Sequence, residues 1–88
     1  MKRQILYSNQ ATKFLAKHRF LIAPIKKSLE LYMNNPEHMF KKQHIKRLEP
    51  LSSGKLRLRV GDYRVVFTDD FIVILVEKID SRGDVYKD

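Results

Sequence analysis

The chain contains no cysteine, so no disulfide and no thiolate-held metal can form, and a cytoplasmic location is the natural expectation. It has no long hydrophobic run. The longest stretch, residues 71–76, is six residues, where a membrane span needs about 20. The first ten residues, MKRQILYSNQ, carry charge but lack the apolar stretch of a signal peptide. Repeats, linkers and low-complexity segments are also missing. Acidic residues are scarce: ten Asp and Glu stand against eighteen Lys and Arg, a formal charge of +8. Such an excess calls for a polyanionic partner, whether nucleic acid, acidic membrane surface or acidic protein, unless it is a merely solvated basic surface.

What is present is enough for one domain, residues 1–88. The chain is too short for two, yet 43% of it is hydrophobic, too much for a disordered segment. Residues Gln4–Tyr7 read as a short strand. Ser8 or Asn9 can cap a helix whose apolar stripe is Ala11, Phe14, Leu15 and His18. Pro24 suits the first turn of a second helix that buries Ile25, Leu29, Tyr32 and Met33, and Asn34-Asn35-Pro36 stops it. Residues 37–53 read as a loop with one helical turn at most. Three strands follow, at 55–60, 63–68 and 71–79, joined by two-residue turns at Gly61-Asp62 and Asp69-Asp70. The apolar FIVILV of the last suits a strand covered on both faces, and Val85-Tyr86 offers a further short strand. The expected architecture is α+β, β-α-α-β-β-β(β), with an N-terminal helical hairpin packed on a mainly antiparallel sheet.

The charge is organised. In GKLRLRVGDYRVVF, alternation puts Leu56, Leu58 and Val60 on one face and Lys55, Arg57 and Arg59 on the other. Three cations on one strand face repel each other unless an anion sits among them. Glu77 or Asp80 on a neighbouring strand would serve structurally, and a phosphodiester backbone would serve functionally. Arg64 interrupts the otherwise apolar YRVVF, and Arg82 and Tyr86 follow the last strand. Arginine offers planar bidentate donors, lysine a mobile point charge, and tyrosine a ring that can stack on a base or exchange a proton.

The runs GKLRLRVGDYRVVF and VEKIDSRGDVY resemble the RelE/ParE superfamily of bacterial toxins from type II toxin–antitoxin systems, and the resemblance spans most of the chain. It implies a small cytoplasmic toxin held by a cognate antitoxin. In the RelE branch, which the residues favour, it implies a metal-independent endoribonuclease, without cofactor, that cuts mRNA in the ribosomal A site. In the ParE branch the same fold inhibits DNA gyrase, and a non-catalytic binding module is the third possibility. By position, Lys55 and Arg57 match the basic strand residues of RelE activity, and Arg64 matches the arginine on the scissile phosphate. Arg82 falls near a second functional arginine, and Tyr86 matches the C-terminal tyrosine. Glu49 resembles the base of the YoeB branch. Arg59, Lys41, Lys42, Lys46 and Arg47 are expected to touch RNA backbone without reading sequence. No histidine follows His44, whereas some branches end in a His-Tyr pair. His18 reads as a structural residue on its helix stripe. His38 and His44, six apart in a basic segment, lack the further ligands of a metal site.

Overall fold

The computed structural model describes residues 3–81. Its elements are β1 (Gln4–Tyr7), α1 (Asn9–Lys17), α2 (Ile22–Asn34), α3 (Pro36–Lys41), β2 (Ile45–Arg47), β3 (Lys55–Val60), β4 (Tyr63–Asp69) and β5 (Val73–Ser81). Single 3-10 turns at Arg19–Leu21 and Leu51–Ser53 join α1 to α2 and lead into β3. The fold is the expected α+β arrangement. The sheet has five strands in the order β1-β5-β4-β3-β2, antiparallel except for the parallel pair β1–β5.

Local chemistry sets the helix ends. Ser8 is the N-cap of α1, its hydroxyl accepting from the Ala11 N–H at 3.1 Å. Asn35 does two jobs: it follows the last residue of α2 and caps α3, its side chain accepting from the His38 N–H, with Pro36 at the first helical position. The Asn-Pro pair that ends one helix therefore begins another. This corrects the reading of 37–53 as a loop, which holds both α3 and the three-residue strand β2. β2 exists through its pairing with β3, extended at both ends by the bonds from Arg59 N–H to His44 C=O and from Leu48 N–H to Lys55 C=O, each 2.9 Å.

One face of the sheet carries the core. Leu56 and Leu58 of β3, Val65 and Phe67 of β4, and Ile74, Val76 and Ile79 of β5 meet Ala11, Leu15, Leu21, Ile25 and Leu29 from the helical layer. Each fully buried aliphatic or aromatic side chain contributes about 1.5–3 kcal/mol relative to exposure. β5 starts at Val73 rather than residue 71. Phe71 and Ile72 lie in the turn, 82% and 74% exposed. The helices cover only one face of β5, and Val73 and Leu75 on the other are half-buried.

Two features keep β5 in place. A bulge lies between the pairs Val66–Lys78 and Phe67–Val76, leaving Glu77 unpaired with β4. It shifts the alternation of β5, so that Ile74, Val76 and then Ile79 point into the core while Lys78 stays exposed. Beyond the end of β1, two side chains replace backbone partners. The Ser8 hydroxyl donates to the Glu77 carbonyl at 2.6 Å. The Gln10 amide both donates to the Ile79 carbonyl and accepts from the Ile79 N–H, at 3.0 Å each. Gln10 behaves there as one more residue of an edge strand.

At the opposite end of the sheet, Asp69 closes a compact network. Its side chain is 4% exposed and takes the Arg3 guanidinium through both oxygens, at 2.8 and 2.9 Å. It also accepts from the Tyr32 hydroxyl at 2.7 Å and from the Phe71 N–H at 2.9 Å. Burial and the neighbouring carboxylate push the Tyr32 pKa up to about 12. The Phe71 backbone is left-handed, φ 71°, held by that bond and by Asp70, whose carboxylate accepts from Ile72 and Val73. Those backbone donors hold the Asp70 pKa below its ordinary value.

Candidate nucleic-acid interface

The face of the sheet away from the helices carries the candidate site. Antiparallel registry lays its side chains out in rows. Arg59 lies opposite Arg64, and Arg64 opposite Asp80. In the next row Lys46, Arg57, Val66 and Lys78 are successive partners. The third runs Lys55, Thr68, Leu75, Leu6. Five strands thus assemble a basic region on β2, β3 and β4, and an apolar region of Leu6, Leu75 and Val66 toward β1.

The arginine pair is the sharpest electrostatic feature. Like charges directly opposite on neighbouring strands cost about 0.2–1 kcal/mol. Asp80 offsets that cost: its carboxylate accepts from Arg64 Nε at 3.2 Å and Nη2 at 3.4 Å. Lys78 adds a longer contact to the same carboxylate, 3.8 Å. Arg64 and Asp80 keep 30% and 25% of their side-chain surface, so this pair is worth only about 1 kcal/mol and its main effect is orientation. A guanidinium has five N–H donors, so with two engaged by Asp80, three have no acceptor among the described residues. Lys55 at the far end is paired with Glu77, the bulge residue, at 3.2 Å. The two acidic residues considered as structural counterions therefore both serve as such.

Of the residues singled out in the sequence, Lys55, Arg57, Arg59, Arg64 and Lys46 share this face. Arg57 and Arg64 are diagonal neighbours, a spacing of roughly 7–8 Å. Lys55 and Arg64 stand further apart, because four residues of β3 separate their rows, roughly 13 Å. Arg47 does not join them. Its place in β2 turns it to the helical side, where its guanidinium sits 4.9 Å over the Phe40 ring. Lys41 ends α3 and Lys42 follows it, both exposed. Glu49 is exposed in the bend after β2, one residue beyond Leu48, whose N–H bonds Lys55. Arg82 and Tyr86, with the suggested strand at Val85-Tyr86, lie outside the described residues.

The histidines divide. His18 caps the end of α1, with Nδ1 2.9 Å from the Phe14 carbonyl, and its ring stacks on Phe14 at 4.1 Å. Phe20 and Tyr63 complete this aromatic cluster edge-on. His38 and His44 share a groove with Arg59, a grouping that sequence reasoning missed because it depends on α3.

The fold is that of the RelE-like toxins. Solved structures that share it include YafQ from E. coli strain BL21(DE3), with a TM-score of 0.65 at 18% identity, covering 97% of this chain and 99% of that one. The RelB–RelE antitoxin–toxin complex from Methanococcus jannaschii matches at TM-score 0.66 and 24% identity, over 93% and 95% of the two chains. The RelBE2 toxin–antitoxin complex from Mycobacterium tuberculosis matches at TM-score 0.65 and 20% identity, over 93% and 100%. A scan of family profiles and a search of curated proteins find no match. Among the described residues no helix is long and apolar enough to cross a membrane.

Proposed function

We propose that this chain is the toxin of a toxin–antitoxin pair and an endoribonuclease that cuts mRNA, in the ribosomal A site, without a metal. The observation that carries the reading is the cationic sheet face, with Arg64 oriented by Asp80 and three of its donors unengaged among the described residues. In the reaction, the ribose 2′-oxygen attacks the adjacent phosphorus and the bond from phosphorus to the 5′-oxygen breaks. The products are a 2′,3′-cyclic phosphate and a 5′-hydroxyl, which takes up a proton. Arg64 and Arg57 stabilise the charge that grows on the phosphate oxygens, and Lys55 and Lys46 hold the flanking backbone. Arg82 is assigned the role of a second phosphate ligand. Glu49, Tyr86 and Lys55 are the candidates for accepting the 2′-hydroxyl proton, and separate Glu49→Gln, Tyr86→Phe and Lys55→Met variants distinguish them. The antitoxin is a partner of acidic character that covers the basic face, as the charge of +8 favours.

One observation favours a different reading. Lys55 and Arg64 already hold Glu77 and Asp80, as expected of a non-catalytic sheet, or of a ParE-like protein that acts on DNA gyrase. Mapping the 5′ ends of mRNA after induction separates them. Cuts within translated codons, reduced about 10²–10³-fold by Arg64→Ala, support the nuclease. Intact transcripts with gyrase-linked DNA breaks would replace it with the ParE-like reading.

A further inference from the structure

The cationic face does not end at the margin of the sheet. Arg59, in the same row as Arg64, also lines a groove of about 410 Å³ between α2, α3 and the end of β3. Three elements supply its chemistry. His38 comes from α3, His44 from the connection into β2, and Arg59 from β3; Ser28 and Leu31 of α2 and the capping Asn35 carry no charge. Among the described residues no carboxylate lines the groove, and its ionisable side chains are all basic. Arg59, unlike Arg64, has no ion pair among the described residues. His38 and His44 are exposed, and neither side chain has a hydrogen bond within the described residues. Three basic side chains thus surround one cavity that holds no carboxylate among the described residues.

We propose that this groove is a second RNA-phosphate site, entered from the sheet face past Arg59, that holds the strand flanking the one at Arg64. The inference rests on the nuclease reading, since it takes the ligand to be single-stranded RNA. A phosphodiester backbone suits the groove better than an acidic peptide does because the groove joins a face that already presents a row of cations, and His38, His44 and Arg59 offer donors to oxygen acceptors beside the apolar Leu31, Met39 and Val60. His38, His44 and Arg59 converge on the groove from three different elements, as a site that follows a bent strand requires.

The test measures binding of a 2′-O-methyl oligoribonucleotide, which cannot be cleaved, to the intact chain at pH 6 over a range of salt. The variants are His38→Gln with His44→Gln, and separately Arg64→Ala with Lys55→Ala; thermal melts confirm that each is folded. Each phosphate contact to a single strand adds about 0.7 to the salt slope, or roughly fivefold in affinity at 0.1 M salt. The histidine variant should lose roughly fivefold to 25-fold at pH 6, with a smaller salt slope. Equal binding by wild type and histidine variant overturns the site. So does competition by an acidic peptide that displaces RNA from the wild type but not from the histidine variant, which would make the groove a protein-docking surface. If the histidine variant weakens binding while the Arg64/Lys55 variant does not, the groove stands and the sheet-face reading falls.

Discussion

Removing the Asp69 carboxylate should damage this protein more than removing any exposed charge. Asp69→Ala leaves the Arg3 guanidinium and the Tyr32 hydroxyl without their shared partner, in a site where Asp69 is 4% exposed and Arg3 18%. Breaking one side of a buried pair costs about 3–5 kcal/mol, and the residual access of Arg3 to water argues for the lower end. A domain of 88 residues has only about 4–13 kcal/mol in all. The midpoint of thermal unfolding should drop by roughly 12–24 °C, taking about 4–8 °C per kcal/mol. Tyr32→Phe is the sharper variant, because it keeps the ring against Phe67 and Phe40 and deletes only the hydroxyl. Its cost at neutral pH should be about 1–2 kcal/mol, since Asp69 keeps its bonds to Arg3 and Phe71. The same residue imposes a pH dependence. A folded pKa of about 12, above the ordinary 10, means that the unfolded chain loses the Tyr32 proton first. The stabilisation is therefore complete below pH 10 and lost as pH rises from 10 to 12, by roughly 3 kcal/mol as an upper bound. Urea denaturation of wild type and Tyr32→Phe from pH 8 to pH 12 measures it. The wild type should lose its advantage across that window. Parallel curves, or a Tyr32→Phe variant as stable as wild type at pH 8, would refute the coupling of Tyr32 to Asp69.

Two further outcomes test the opposite parts of the molecule. Asp80→Asn frees Arg64 of its counterion, so RNA binding should tighten while cleavage slows, because charge is gained and orientation lost; a filter-binding titration beside a cleavage assay separates the two. Gln10→Ala should cost about 1–3 kcal/mol in chemical denaturation, well above an ordinary surface substitution, because the Ile79 N–H and carbonyl both lose their partner.

The legible parts of the sequence were those with a period. The stripe of α1, the buried side of α2 and the alternation of β3 all follow from spacing, and the outward placement of Lys55, Arg57 and Arg59 came with the last. α3 and β2 were hidden because six and three residues are too few to show a period. β2 is a strand only because β3 lies beside it, and once it is placed, alternation sends Lys46 and Arg47 to opposite faces. The start of β5 was misjudged for a physical reason too: Asp69 and Asp70 both bond backbone N–H groups ahead of them, so the turn extends through Phe71 and Ile72 despite their β propensity. The groove holding His38 and His44 inherits the illegibility of α3.

The bulge at Glu77 makes the two halves of β5 answer to different rules of inheritance. Before it, odd-numbered positions face away from the helices; after it, even-numbered ones do. A lineage that lost Glu77 would keep Lys78 outward and Ile79 in the core, because Val76, Lys78 and Ile79 then alternate without a bulge. Substitution at Glu77 removes a counterion of Lys55, and deletion removes the same counterion while leaving Asp80 on its face. The bulge thus absorbs one residue of length and keeps the ladder on both sides of it in register.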